Sequence, residues 1–260
     1  GQHRLHTVCE GAKCPNRTAC WHESAAAFLI LGDTCTRACR FCAIPHAGRP
    51  APPDPGEPAR LAAAAAALGL RHVVVTSVTR DDLPDGGAAH FAAVIHALRA
   101  RLPGAAVEVL IPDFRGSASA LDIVLAEKPD ILNHNLETVE SLQPVIRPQA
   151  DYQRSLAVLR RAGQQGARTK SGLMLGLGET DNQVAFALRD LRLANVEMLT
   201  LGQYLAPSPA HHPVARYVPP AEFERWRTFA LNFGFRSVAA GPQVRSSYHA
   251  EELLAAGGAP

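Results

Sequence analysis

The sequence has no long hydrophobic run. Its longest apolar stretch, Leu61 to Leu70, is mostly alanine and falls well short of the ~20 apolar residues a bilayer-spanning helix needs. The opening Gly-Gln-His-Arg-Leu-His has no apolar core of the signal-peptide kind. An excess of one charge is also missing. The 26 Lys+Arg and 24 Asp+Glu leave a formal net charge of +2, too little to predict nucleic-acid binding from electrostatics alone. Lysine is scarce, with only Lys13, Lys128 and Lys170, and no cysteine follows Cys42. With 260 residues, 47% hydrophobic and 19% charged, the chain can build one large domain or two small ones and lacks the composition of a disordered segment. We expect a soluble, cytoplasmic protein with neither a membrane nor a nucleic-acid partner. The chain opens on Gly1 rather than Met, as a trimmed or processed product would.

The cysteines that are present form two triplets, Cys9-x4-Cys14-x5-Cys20 and Cys35-x3-Cys39-x2-Cys42. A disulfide framework is disfavoured, because a chain of this size folds without staples and we expect no export signal. Clustered thiols then read as metal ligands. Structural zinc takes four tetrahedral ligands, commonly in paired Cys-x2-Cys knuckles. Neither triplet has a second knuckle, although His22 and His46 are placed to complete a zinc site. Iron–sulfur cubanes fit better, since three cysteines cap three of four irons. Each cluster would keep one iron with a ligand other than cysteine.

Beyond Cys42, apolar β-branched stretches alternate with helical ones. Strands are predicted at 28–31, 72–78, 107–111, 131–135, 171–177 and 198–204. Helices are predicted at 57–68, 88–102, 118–126, 151–162, 181–194 and 220–233, with a short segment at 235–239. One strand–helix unit about every thirty residues signals βαβ crossovers and a parallel sheet. Six such repeats are too few for an ordinary eightfold barrel. In parallel barrels, functional groups gather where the strands end. Here those ends carry Thr76-Ser77, Arg80-Asp81-Asp82, Pro112-Asp113, Asn133-His134-Asn135-Leu-Glu137, Gly176-Leu-Gly178-Glu179-Thr180 and Gln203-Tyr204.

Several motifs have a plain reading beside a functional one. Gly176-Leu-Gly178 lacks the third glycine of a dinucleotide fingerprint. It is either a close backbone approach to a cofactor near Glu179 or a turn capped by Thr180 or Asp181. The acidic run at Asp81-Asp82 and Asp85 misses the calcium-loop spacing and reads as an acidic turn able to bond a ligand's amino or ribose groups. His134 reads as a structural hydrogen-bonding residue, and His211-His212-Pro213 as a surface loop. Lys170 opens a strand, where a bare ammonium needs a carboxylate or phosphate.

Cys35-Thr-Arg-Ala-Cys39-Arg-Phe-Cys42, following the apolar Phe28–Leu31, resembles the cluster loop of the radical S-adenosylmethionine family, in which an aromatic such as Phe41 before the last cysteine is typical. A longer set resembles the lipoyl synthase family within it. That set comprises Leu5-His-Thr-Val-Cys9-Glu-Gly-Ala-Lys-Cys14-Pro-Asn with Cys20-Trp21, Leu31-Gly-Asp-Thr-Cys35-Thr-Arg, and Thr76 through Gly87. It continues with Asn133-His-Asn-Leu-Glu-Thr138, Thr169-Lys-Ser-Gly-Leu-Met174 and Gly241-Pro-Gln-Val-Arg-Ser-Ser-Tyr-His249. Against the family's pattern, we expect an upstream N-terminal segment that is absent or shortened.

The resemblance implies an α/β fold: a partial, open (β/α)6 barrel over 28–240. An auxiliary-cluster segment would occupy 1–27, and a C-terminal segment, 241–260, would supply a serine cluster ligand. It implies two [4Fe–4S] clusters. Cys35, Cys39 and Cys42 would hold the one that cleaves S-adenosylmethionine to a 5′-deoxyadenosyl radical. Cys9, Cys14 and Cys20 would hold the auxiliary one, completed by Ser247 or alternatively Ser246. The implied reaction inserts sulfur at C6 and C8 of an octanoyl chain on a carrier lysine, using two S-adenosylmethionine molecules and taking sulfur from the auxiliary cluster. The implied partners are an octanoylated E2 lipoyl domain or glycine-cleavage H protein and a donor such as ferredoxin or flavodoxin. Strand-end position and polarity nominate Ser77, Asn135, Glu137 and Lys170 as S-adenosylmethionine contacts. Two alternatives stay open: another sulfur-inserting radical enzyme resembling biotin synthase, and a non-catalytic iron–sulfur or zinc scaffold.

Overall fold

The computed structural model describes residues 5–7, 27–247 and 254. Cys9, Cys14 and Cys20 lie outside the described residues. The fold is α/β, and its strands follow chain order, β1 to β8, in an open and mostly parallel sheet. The strand stretches anticipated from β-branched runs are all present, displaced by one or two residues at their ends. Two compact units divide the chain: Gly1–Ala38 with Ala43–Leu132, and Cys39–Cys42 with Asn133–Pro260.

In the first unit, β1 (His6–Thr7) pairs antiparallel with β2 (Ala27–Ile30), a strand the apolar pattern did not announce. Then follow α1 (Glu57–Ala67), β3 (His72–Ser77), α2 (Ala88–Arg101), β4 (Ala106–Leu110) and α3 (Ala118–Ala126). β2, β3 and β4 pair in parallel, and β5 (Ile131–Asn133) follows. β3 reads His-Val-Val-Val-Thr-Ser because both its faces are covered, so alternation with polar residues is unnecessary. Val73, Val75, Phe91, Ile95 and Val107 are buried together with Leu98, each such side chain contributing ~1.5–3 kcal/mol on removal from water. Ser117 starts α3 by accepting the Ala120 N–H at 3.2 Å, the cap expected of serine.

The second unit holds α4 (Tyr152–Gln164), β6 (Thr169–Leu175), α5 (Asp181–Leu193), β7 (Met198–Gln203), α6 (Pro220–Asn232) and β8 (Ser237–Gly241). β6, β7 and β8 pair in parallel. Leu159, Leu188, Leu191, Leu199, Leu201 and Phe223 form the centre of its apolar core. Thr180 and Gln183 make a reciprocal capping box at α5. Gly202 in β7 is required by packing, since a Cβ there would collide with the Val244 carbonyl oxygen. The C-terminal segment is thereby laid directly on the strand backbone. Among the described residues, no helix is long and apolar enough to cross a membrane.

Candidate functional site

The chain leaves β2 through Leu31 and Gly32, both at positive φ, and enters the cysteine loop. Cys35 is pinned through its backbone: its N–H donates to the Pro45 carbonyl at 2.8 Å, and its carbonyl accepts the Ala47 N–H at 2.9 Å. Its sulfur accepts two backbone N–H groups, from Arg37 at 3.4 Å and Thr79 at 3.3 Å.

The Arg80-Asp81-Asp82 run, expected to face a ligand, instead serves the loop. Asp81 binds the Arg37 guanidinium through both oxygens, at 2.7 and 2.9 Å, and Asp113 adds a contact at 2.6 Å. Burial works against the Arg37 charge, but its hydrogen bonds to Asp81 and Asp113 outweigh it and raise the pKa above the ordinary arginine value. Asp82 takes Arg80 through two bonds of 2.9 Å, while Arg80 also donates to the Leu31 carbonyl at 3.2 Å. Chiefly through that Arg80 hydrogen bond, the Asp82 carboxyl is held below its usual range. Asp82 thus finds its arginine two residues away, whereas Asp81 meets one 44 residues distant, a pairing that no local pattern displays.

In the second unit, Cys39 to Cys42 is clasped by a segment the sequence marked as a surface loop. The Arg40 N–H donates to the Ile146 carbonyl, and the Arg40 carbonyl accepts the His212 N–H, both at 2.9 Å. His211 Nε2 lies 3.2 Å from the Cys42 carbonyl and its Nδ1 lies 2.8 Å from Ser208 Oγ. A carbonyl only accepts, so Nε2 carries the proton and Ser208 donates to Nδ1. Both histidines are half-buried. Phe41 packs against Ile146, Leu177 and Tyr204, which accounts for the aromatic before Cys42 by packing.

The other nominated residues have definite places. Asn135 Nδ2 donates to Glu137 Oε1 at 3.1 Å and to Ser246 Oγ at 2.5 Å, so Asn135, Glu137 and the Arg-Ser-Ser-Tyr serine come together. Burial is the largest influence on Glu137 and raises its carboxyl pKa, with the Arg147 charge and the Asn135 bond pulling the other way. Gly172 permits this approach, because a Cβ would sit 2.5 Å from Thr200 Oγ1 and 3.0 Å from Asn135 Oδ1. Ser77 ends β3 in the first unit. Its Oγ and Asn135 Oδ1 are buried with no hydrogen-bond partner among the described residues. Lys170 is fully buried as the second residue of β6, and its carbonyl accepts the His134 N–H at 3.1 Å. Glu179 is occupied by its own turn, accepting the Gly176 and Leu177 N–H groups at 2.7 and 2.9 Å. That resolves the Gly176-Leu-Gly178 motif as a capped strand–helix turn.

The Radical SAM superfamily pattern matches residues 29–191. A lipoyl synthase from Chlorobaculum parvum is 57% identical over 96% of this chain and 86% of its own length. Those from Methylococcus capsulatus and Thermus thermophilus are 59% and 55% identical, each over 96% of this chain and 79% of their own. Among solved structures, Streptococcus suis SuiB bound to S-adenosylmethionine superposes with a TM-score of 0.62 at 10% identity. That match covers 84% of this chain and half of SuiB, 50%. Methylornithine synthase (PylB) gives a TM-score of 0.59 at 14% identity, over 86% of this chain and 75% of its own. At such identities the structures speak for the fold alone.

Proposed function

The chain belongs to the lipoyl synthase family of radical S-adenosylmethionine enzymes, and from that premise we propose how its residues divide the work. The activity is that of a sulfurtransferase inserting two sulfur atoms, at C6 and C8, into a protein-bound octanoyl-lysine. S-adenosylmethionine and an iron–sulfur cluster are its cofactors. When bound and reduced by one electron, the cluster would supply the electron for S-adenosylmethionine cleavage and so the hydrogen-abstracting radical. Cys35, Cys39 and Cys42 are the residues that hold it.

The residues present suit that cofactor. Cys35 offers a sulfur already supplied with two N–H donors, and the His211 contact to the Cys42 carbonyl holds the third cysteine's backbone. Ser77 and Asn135 offer buried polar atoms in need of partners, fitting contacts to the amino, carboxylate or ribose groups of S-adenosylmethionine. Glu137, with its raised pKa, and the buried Lys170 complete the proposed set.

We assign the second cluster to Cys9, Cys14 and Cys20 with a serine from the 241–260 segment, and 28–240 to the partial barrel. Ser246 is engaged by Asn135, which favours Ser247 as the ligand. A serine oxygen is a hard ligand among soft sulfurs and leaves more readily on protonation than a thiolate. That cluster is the sulfur donor in this reading and is consumed as substrate. The carrier is an E2 lipoyl domain or a glycine-cleavage H protein, and the electron donor is of the ferredoxin or flavodoxin type.

The observation that carries the reading is the joint presence of the Cys35–Cys42 triplet and the Asn135–Ser246 contact, which ties the C-terminal serine motif to a proposed cofactor-binding residue. The test is anaerobic reconstitution with about eight irons per chain, as two cubanes require, followed by assay on an octanoyl-lysine peptide. Mass spectrometry should find two added sulfurs. A chain loaded with both clusters that cleaves S-adenosylmethionine but adds no sulfur would refute the assignment.

A further inference from the structure

The charged Thr79-Arg80-Asp81-Asp82 run has no role in the reaction as derived above, yet much of its polar chemistry converges on Cys35. The sulfur accepts the amide N–H groups of Arg37 and Thr79, and each amide is braced from behind. Arg37 is tied by its side chain to Asp81 and Asp113. Its side chain is 3% exposed and that of Asp113 is 0% exposed. Thr79 is tied through its carbonyl, which accepts both the N–H and the hydroxyl of Thr36 at 3.0 Å. The same hydroxyl accepts the Asp81 N–H at 3.0 Å. Thr36 therefore joins the Thr79 side of the network to the Asp81–Arg37 side.

An N–H···S bond stabilises negative charge on sulfur. Hydrogen bonds to the sulfurs are among the factors that set the potential of an iron–sulfur cluster, because the reduced, more negative state gains more from the donors. Donors held in place beforehand cost no reorganisation when that charge arrives.

We propose that Thr36, Arg37, Thr79, Asp81 and Asp113 form a positioning device that holds two amide N–H groups on Cys35 Sγ and thereby raises the reduction potential of the cluster Cys35 ligates. The inference rests on Cys35 being a cluster ligand. The five residues act through Cys35 as positioning residues. The run that the sequence presented as a ligand-binding turn is thus an electrostatic support for the electron-accepting centre.

The test is an anaerobic redox titration of the full chain with its iron reconstituted. It follows the electron paramagnetic resonance signal that changes when S-adenosylmethionine is added. Thr36→Val keeps the side-chain shape and removes the hydroxyl. It should lower the reduced-to-oxidised ratio at a given potential about tenfold, equivalent to about 59 mV for one electron. Thr36→Ser should restore the original midpoint. Asp113→Asn, which keeps the shape and removes the charge, should shift the midpoint in the same direction and decides the matter should Thr36→Val lose its iron. Variants with full iron content and an unchanged midpoint overturn the proposal. A Cys35→Ala protein that keeps the responsive signal would instead overturn the ligand assignment beneath it.

Discussion

The Arg37 guanidinium donates to the Asp113 carboxylate at 2.6 Å across 76 residues of chain. Neither side chain is open to water, so the contact joins the cysteine loop to the segment after β4 inside the first unit. Removing one member of such a pair leaves a buried charge short of a partner, which costs several times what an exposed ion pair contributes.

Asp113→Ala should therefore destabilise the fold by ~3 kcal/mol, the Asp81 contact preventing a larger loss. Anaerobic urea unfolding measures it. A change within the scatter of surface substitutions would show that Asp81 alone satisfies Arg37.

The division of labour between the cysteines predicts opposite phenotypes. Cys39→Ala should show no detectable S-adenosylmethionine cleavage, whereas Cys14→Ala should cleave it and release 5′-deoxyadenosine without forming lipoyl product. Chromatography of the nucleoside alongside mass spectrometry of the peptide separates the two. Equal loss of cleavage in well-folded protein would remove the distinction.

Gly202→Ala sets a methyl group against the Val244 carbonyl. Overpacking of this kind costs ~1–3 kcal/mol, and relief is available by lifting the 241–247 segment off β7. Displacing Ser246 and Ser247 should lower the iron bound by the auxiliary site while the S-adenosylmethionine-responsive signal persists. Iron analysis with resonance spectroscopy of the reduced protein reads both.

His211→Ala removes the imidazole that donates to the Cys42 carbonyl. A single hydrogen bond contributes ~1 kcal/mol, so iron loss to a chelator should accelerate about fivefold. His211→Asn, still carrying an N–H donor, should recover part of the difference, and an unchanged rate in His211→Ala would dismiss the clasp.

Acid and base should act on Asp82 and Glu137 in opposite senses. Asp82 is held below its ordinary value of 3.8, first by the Arg80 hydrogen bond. The stability it adds is present above the unfolded value and is lost as the pH falls through the depressed folded one. Glu137 is raised, first by burial, so its folded form binds a proton more tightly than the unfolded chain. Its contribution is intact below the unfolded value and declines as the pH rises through the folded one. Asp82→Asn should flatten the acid limb of a stability–pH profile and Glu137→Gln the limb above the ordinary carboxylate range. Urea midpoints across that range provide the check, and a Glu137→Gln profile that still declines there would assign the slope to another group.

The sequence by itself determined the chemistry of contiguous pieces. Three cysteines within eight residues mark a cluster loop because ligands for one metal centre can come from one short segment. Val73-Val-Val75 marks a strand because β-branched residues suit a sheet buried on both faces, and Thr180 with Gln183 marks a helix start through purely local bonds. Tertiary structure alone decided which charged groups meet. Asp81 reaches Arg37 across 44 residues, and His211 reaches Cys42 across 169, so no local pattern could identify either as a support for the cysteine loop. Asn135 was legible as a polar strand end, but its bond to Ser246 spans 111 residues. The physical reason is common to all three. Periodicity and propensity are set by neighbours along the chain, whereas a buried carboxylate or imidazole takes its role from the partner that folding delivers.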